Sequence, residues 1–195
     1  MTVLDWVWDV SCVVCRRRGA PLCKSCLAEV VGSGPAIRQV DGLDVVSLGV
    51  YAGALGTLIR AAKRGQSPAA IAEVAGAVRA LALAEATAVV PMPSSLAGFR
   101  ERGWSLATRI ARMIPVRTCH ALSFANPRTQ RGRGKLARWQ GREMAVRGAE
   151  RLRYESVLLV DDVCTTGATL TAARDALSLA GVTVVGALVL ASVAP

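Results

Sequence analysis

The sequence predicts an α/β domain built on a parallel sheet, preceded by a small cysteine-rich module. Apolar, β-branched segments alternate along the chain with Ala-rich segments of helical composition. Strands that are apolar throughout are typical of parallel sheets covered on both faces. Four cysteines between residues 12 and 26 set the N-terminal part of the chain apart. Hydrophobic residues make up 52% of the 195 residues, which excludes a mainly disordered chain, and aromatic residues only 4%, so Ala, Val and Leu must build the core.

The expected elements follow in chain order. Residues 32–42 contain glycine and proline and are expected to link the cysteine-rich part to the main domain. The expected strands cover residues 44–51, 88–91, 121–124, 156–161 and 182–190. The expected helices cover residues 53–63, 69–85, 102–113, 136–146 and 168–180. Residues 126–135, which are rich in Gly and Arg, are expected to form a mobile loop.

Residues 176–195 carry no charge over 20 positions, which is long enough for a membrane helix. Gly181 divides this stretch into the end of a helix and a β-branched run, so we predict buried core and no membrane span. At the N-terminus, Asp5 and Asp9 precede any basic residue, which is the wrong charge pattern for a secretory signal. A cytoplasmic protein is therefore expected.

Two Cys-x-x-Cys pairs, separated by seven residues, are typical of a structural zinc site with four thiolate ligands. The candidate ligands are Cys12, Cys15, Cys23 and Cys26. Two disulfides or a redox pair are the alternatives. Disulfides fit secreted chains better, and a redox pair would follow a strand in a thioredoxin-like pattern, so zinc is favoured.

The most informative stretch is residues 157–169, with the sequence Val-Leu-Leu-Val-Asp-Asp-Val-Cys-Thr-Thr-Gly-Ala-Thr. It predicts a strand, two carboxylates at its carboxyl end, a hydroxyl-rich turn and the start of a helix. Ligands of open α/β sheets bind at this end of the strands, and a helix start offers N–H groups to a phosphate. The stretch therefore predicts a sugar-phosphate site, with the phosphate on the turn and ribose hydroxyls on the acids. The alternative is an ordinary capped helix after a buried strand.

Residues 157–169 resemble the phosphoribosyl pyrophosphate (PRPP) binding motif of type I phosphoribosyltransferases, with Cys164 where an aliphatic residue is usual. The rest of the chain is similar to the ComF family of competence-related proteins. That similarity rests on Tyr51-Ala52-Gly53 with Leu58-Ile59 and Lys63, on Val90-Pro91-Met92-Pro93 with Arg100-Glu101-Arg102-Gly103, and on the Arg-rich segment 128–142. The resemblance implies a type I phosphoribosyltransferase-like parallel-sheet domain over residues 43–195, after a zinc-binding module and linker over residues 1–42.

The resemblance also implies roles for individual residues. Asp161 and Asp162 would be the catalytic pair and would hold the ribose hydroxyls of PRPP, with Mg²⁺ on the substrate. The residues that would cradle the 5′-phosphate are Thr165, Thr166, Gly167, Ala168 and Thr169. Arg100, Arg102 and Lys63 are the candidates for binding pyrophosphate, because guanidinium groups favour phosphate oxygens.

A basic excess is confined to one part of the chain. The formal net charge is +10, and residues 100–153 hold 14 basic but only three acidic residues. Such a surface indicates an anionic partner. Arginines with an interleaved Trp are typical of single-stranded nucleic-acid binding. The candidate residues for that contact are Arg128, Arg131, Arg133, Lys135, Arg138, Trp139 and Arg142.

Three hypotheses about function follow. The favoured one is a PRPP-binding protein of the ComF family that acts in DNA uptake, or natural transformation, with single-stranded DNA as partner. The second is an active phosphoribosyltransferase in nucleotide salvage with an unidentified acceptor. The third is a non-catalytic scaffold that docks a helicase-like competence protein. Whether the protein is an enzyme stays open at this point.

Overall fold

The computed structural model describes residues 10–32, 34–66, 68–94, 103–124 and 144–193. The strands in these residues are β1 (Ala36–Val40), β2 (Leu43–Val50), β3 (Ala88–Pro91), β4 (Arg117–Thr118), β5 (Leu122–Phe124), β6 (Met144–Val146), β7 (Ser156–Cys164) and β8 (Thr183–Ser192). The helices are α1 (Lys24–Gly32), α2 (Gly53–Lys63), α3 (Pro68–Ala72), α4 (Ala75–Leu81), α5 (Leu106–Ala111) and α6 (Ala168–Leu179), with a 3₁₀ turn at Ala149–Leu152.

A six-stranded sheet with the order β1-β2-β8-β7-β3-β4 forms the centre of the fold. All neighbouring strands are parallel except β1 and β2, which form an antiparallel hairpin. A separate antiparallel pair joins β5 to β6. The sequence expectation of an α/β fold with a mostly parallel sheet is confirmed.

The central strand β7 is buried on both of its faces, which explains its continuous apolar run. Leu158 and Val160 belong to one apolar cluster, together with residues of α2, α4 and α5. Val157 and Leu159 belong to a second cluster, together with residues of α6. All four of these β7 side chains are fully buried. Helices therefore cover the sheet on both sides, as a parallel sheet requires.

The cysteine-rich segment packs into the same core as the sheet domain. Cys12, Cys26 and Val30 are buried in the cluster that also contains Leu55 and Leu58 of α2. Helix α1 thus packs on α2, and the two segments share one apolar interior. The division of the chain into a module over residues 1–42 and a domain over residues 43–195 stays a prediction.

The segment expected to be a linker contains a strand, so that expectation was wrong. Ala36–Val40 forms β1 and pairs with β2 in a register from Ala36 with Ser47 to Val40 with Leu43. The turn consists of Asp41 and Gly42, which both have positive φ, at 48° and 78°. Asp-Gly in this conformation is a strong hairpin signal. The strand was missed because β1 is an edge strand whose residues are mostly polar or exposed.

Other element boundaries also differ from the expectation. The single helix expected over residues 69–85 is two short helices, α3 and α4, separated by a tighter turn in which Val74 N–H donates to the Ile71 carbonyl. The helix expected from residue 102 begins at Leu106, because Ser105 caps it by accepting from Thr108 N–H at 3.3 Å. Residues 144–146, expected to be helical, form strand β6 because they pair with β5.

The uncharged C-terminal stretch is core over most of its strand, whereas residues 178–181, at the end of the helix, are exposed. It forms the end of α6 and then β8, whose residues are mostly buried, as expected. No helix in the described ranges combines the length and hydropathy that a membrane span requires.

Candidate sugar-phosphate site

Strand β7 extends beyond the end of its neighbour β3, so the last residues of β7, which include both acids, are not paired with β3. Pairing with β3 ends at Pro91 and Val160, after which Met92 N–H donates to the Val160 carbonyl at 2.8 Å. Pairing with β8 continues to Cys164. The strand expected to end at Asp161 therefore runs through both acids. Among the described residues, no strand pairs with the acid-bearing end of β7 on the β3 side.

The two acids are half-buried and have different partners. Lys63, at the end of α2, places its Nζ 2.9 Å from Asp162 Oδ1. Asp161 Oδ1 accepts from the backbone N–H of Asp162 at 2.8 Å. Burial, and then the negative charge of Asp162, raise the pKa of Asp161 to about 7, and the N–H donor and Lys63 offset this only in part. The repulsion expected between adjacent carboxylates therefore contributes to the raised pKa of Asp161.

The turn after β7 presents an exposed, hydroxyl-rich surface at the start of α6. Thr165, Thr166, Ala168 and Thr169 are exposed, and Gly167 is buried. No side chain caps the helix through Gly167, although Ala168 N–H donates to Thr166 Oγ1 at 3.3 Å. The first N–H groups of a 12-residue helix thus face outward, with the positive end of the helix dipole, which suits a phosphate.

Gly167 is required at this turn for two independent reasons. Its φ of +85° lies in the left-handed region that side chains disfavour. A Cβ at this position would also lie 2.5 Å from Cγ1 of Val40, which is closer than real Cβ contacts allow. The hairpin strand β1 therefore packs directly beneath the turn.

Arg38 is a further contact to the turn that the sequence reasoning missed. Its Nη1 donates to the Thr165 carbonyl at 2.7 Å and lies 3.5 Å from the Val193 carbonyl. The contact joins residues 127 positions apart. The Asp41-Gly42 turn was the one sequence signal that could have placed β1 in the sheet, but nothing local indicates its contact with Thr165.

A cavity of about 780 Å³ lies at the carboxyl end of β3, one strand away from the acids. Met92 and Met113 provide apolar walls, and Trp104 and Arg109 contribute a stacked pair with the guanidinium carbon 4.9 Å from the ring centroid. Arg112 adds a second exposed cation. The cavity therefore combines apolar walls with positive charge at the end of the strand next to the one that carries the acid pair.

Several predicted site residues lie outside the described residues. These are the pyrophosphate candidates Arg100 and Arg102, and the nucleic-acid candidates Arg128, Arg131, Arg133, Lys135, Arg138, Trp139 and Arg142. The loop expected over residues 126–135 also falls there. The structure does bring together Lys63, Asp161, Asp162 and the turn 165–169, and the roles assigned to them stay predictions.

The four N-terminal cysteines converge and could hold zinc. Their Sγ atoms all lie within 4.8 Å of one another. Cys15 and Cys23 have their sulfurs 3.7 Å apart, close to the roughly 3.8 Å edge of a tetrahedron with 2.3 Å zinc–sulfur bonds. All six cysteines of the chain are free of disulfides.

The environments of the individual thiols differ. A hydrogen bond with the Ser25 hydroxyl lowers the pKa of Cys23 to about 6. Burial raises the pKa of Cys26 to about 12. Four converging sulfur donors, two of them on buried residues, fit a structural metal ion, which would hold all four as thiolates.

The fold and the acid–turn–helix site define the class of protein. Parallel sheets of this kind bind ligands at the carboxyl ends of their strands, and the start of a helix offers N–H groups to a phosphate, so the arrangement suits a phosphorylated ligand. The family model described as phosphoribosyl transferase domain matches residues 78–194, more than half of the chain. The chain belongs to this family. No curated protein matches it.

Proposed function

We propose that this protein binds PRPP with Mg²⁺ at the carboxyl end of β7. The observation that carries the proposal is the junction of β7 and α6, where two half-buried acids precede an exposed turn with outward N–H groups. Membership of the phosphoribosyl transferase domain family supports the same ligand.

In this proposal, each part of the site meets one part of PRPP. The N–H groups and hydroxyls of residues 165–169 receive the 5′-phosphate. Asp161 and Asp162 accept hydrogen bonds from the ribose hydroxyls, and their oxygens are of the type that Mg²⁺ prefers. Bound Mg²⁺ would neutralise charge on the pyrophosphate. Ionisation of Asp161 is needed for this role, so ligand binding must overcome its raised pKa.

Pyrophosphate would lie toward β3. Arg100 and Arg102 follow the turn that ends β3 in sequence, and the cavity there holds Arg109 and Arg112. Lys63 contacts Asp162. For Lys63 to bind pyrophosphate, it would have to exchange this carboxylate for a phosphate oxygen.

We further propose that the protein is a cytoplasmic member of the ComF family that acts in DNA uptake, with single-stranded DNA and a helicase-like protein as partners and a zinc-binding module at its N-terminus. The converging cysteines and the resemblance of residues 51–63, 90–103 and 128–142 to that family support this assignment. The basic excess of residues 100–153 supports an anionic partner larger than pyrophosphate.

Calorimetry with PRPP and Mg²⁺ tests the ligand assignment. Wild-type protein should bind, and the double variant Asp161→Asn with Asp162→Asn should lose at least 100-fold in affinity. Glu73→Gln, which changes an exposed acid between α3 and α4, is the control for a general loss of negative charge and should bind as wild type does. Equal affinity of the double variant would refute the assignment.

Titration with labelled oligo-dT tests the DNA partner. Binding should weaken steeply between low and moderate salt, because phosphate contacts release counterions. Replacement of Arg128, Arg131 and Arg133 by Gln should weaken oligo-dT binding and leave PRPP binding unchanged. Salt-independent binding, or no binding, would contradict this part of the proposal.

Phosphoribosyl transfer is the second candidate function, because a cavity large enough for substrate groups lies at the carboxyl end of β3, the strand next to β7. A nucleophile would displace pyrophosphate at the ribose C1, with positioning and electrostatic stabilisation lowering the barrier. Pyrophosphate release should then appear with one member of a panel of nucleobases. No release across the panel would favour PRPP binding alone.

A further inference from the structure

The β1–β2 hairpin contacts the junction of β7 and α6 at three points. Arg38 of β1 donates to the Thr165 carbonyl, and Val40 of β1 packs against Gly167. In the hairpin turn, the Asp41 carbonyl accepts from Arg174 of α6. The hairpin thus contacts both the turn and the helix that together form the candidate phosphate site.

The hydrogen bond from Arg38 to the Thr165 carbonyl fixes the direction in which the N–H of Thr166 points. The carbonyl of Thr165 and the N–H of Thr166 belong to one planar trans peptide group, in which the two point in opposite directions. Because Arg38 holds the carbonyl toward β1, the N–H of Thr166 must point away from β1. Among the residues the structure describes, no acceptor receives this N–H.

We propose that Arg38 is a positioning residue that directs the Thr166 N–H toward the 5′-phosphate of the sugar ligand. Its guanidinium reaches the carbonyls of Thr165 and Val193, and therefore joins the ends of β7 and β8. Arg38 acts through the peptide group and needs no direct contact with the ligand. The inference rests on the proposed function, because it assumes that a phosphate binds at this turn.

Three variants separate positioning from charge and from general damage. Arg38→Met keeps the aliphatic stem and removes the donor. Arg38→Lys keeps the positive charge but loses the planar, multi-donor geometry. Gln39→Met is the matched control, because Gln39 is the next residue of β1 and its side chain contacts Asp44 instead of the turn.

The experiment measures affinity for PRPP and for ribose 5-phosphate, with Mg²⁺, and records the amide resonance of Thr166 during the same titrations. In wild-type protein this resonance should move downfield as the phosphate binds. Arg38→Met should weaken both ligands about tenfold, equivalent to about 1.4 kcal/mol, and abolish the shift. Arg38→Lys should recover only part of the affinity and of the shift. Gln39→Met should match wild type in both.

The possible outcomes are distinct. If wild-type protein binds neither ligand, the proposed function fails and this inference fails with it. If wild-type protein binds but Arg38→Met keeps the Thr166 shift, whatever its affinity, Arg38 does not position this donor and only the inference is overturned. Recovery of the affinity by Arg38→Lys without recovery of the Thr166 shift would also overturn it, because positive charge, and not the direction of the N–H, would then account for the binding.

Discussion

The cysteine cluster and the acid pair both place ionisable groups among apolar neighbours, but they differ in how the charge is compensated. Cys12 and Cys26 are 0% and 5% exposed, and a metal ion held by four thiolates would satisfy them together. Among the described residues, Asp161 is compensated only in part, by the Asp162 N–H and by Lys63, whose Nζ lies 2.9 Å from Asp162 Oδ1. We therefore expect the cysteine cluster to stabilise the fold, and the acid pair to carry a charge repulsion that a bound cation would relieve.

Removal of the metal from the cysteine cluster should have the largest effect on stability. A structural zinc site can supply roughly 10 kcal/mol, and this cluster shares its core with α2. Cys26→Ser should therefore lower the unfolding temperature far more than Cys119→Ser, which changes a half-buried cysteine outside the cluster. Thermal unfolding and metal analysis of the same samples provide the measurement.

The comparison fails if Cys26→Ser and Cys119→Ser unfold at the same temperature. Less than half an equivalent of zinc in wild-type protein would also count heavily against a metal site at the cysteines.

Gly167→Ala should have the next largest effect, because it combines backbone strain with a clash against Val40. We expect a loss of about 2–4 kcal/mol in the free energy of unfolding and much weaker PRPP binding. Gly181→Ala is the matched control at the other end of α6, since Gly181 also has positive φ, at +77°, but no atom within 4 Å of the added Cβ. Denaturant unfolding of both variants gives the difference that the clash causes.

The double variant Gly167→Ala with Val40→Ala should recover part of that difference relative to Val40→Ala alone, because it removes the two closest contacts and leaves the Val40 Cβ at 3.1 Å. If Gly167→Ala and Gly181→Ala cost the same, Val40 does not hold the turn.

Asp161→Asn should stabilise the protein while it weakens PRPP binding. The folded protein keeps the Asp161 proton up to about pH 7, whereas the unfolded chain releases it near the ordinary value of 3.8. The free energy of unfolding contributed by this group therefore falls as the pH rises between these values and is lowest above pH 7. At pH 8 we expect Asp161→Asn to be more stable by about 2 kcal/mol.

Unfolding of wild type and Asp161→Asn at pH 5 and at pH 8 measures this effect. The stability advantage of Asp161→Asn should be small at pH 5 and larger at pH 8. An advantage that is the same at both values, or a destabilised variant at pH 8, would show that Asp161 carries no unfavourable charge.

The elements with a strong local signal were predictable from the sequence. Helix α2 and strand β3 have the expected bounds, because their apolar patterns end at clear breaks. The acid–turn–helix junction was also visible, since its residue types follow one another along the chain. Strand β1 was missed because an edge strand needs few apolar residues, and its pairing depends on β2 instead of on its own composition.

The contacts that shape the candidate site were less predictable for a related reason. Arg38 contacts Thr165, which lies 127 residues further along the chain. Lys63 contacts Asp162 because α2 packs on the sheet. Neither contact produces a regular spacing of residue types along the chain, so no sequence pattern could predict it. The division of the helix expected over residues 69–85 likewise depends on a turn at Val74 that helix propensity alone does not reveal.

A crystal structure of the protein with PRPP and Mg²⁺ tests the central claim most directly. We expect the 5′-phosphate against the N–H groups of residues 165–169 and the ribose hydroxyls on Asp161 and Asp162. Density for PRPP elsewhere, with the β7–α6 junction empty at saturating ligand, would contradict the account.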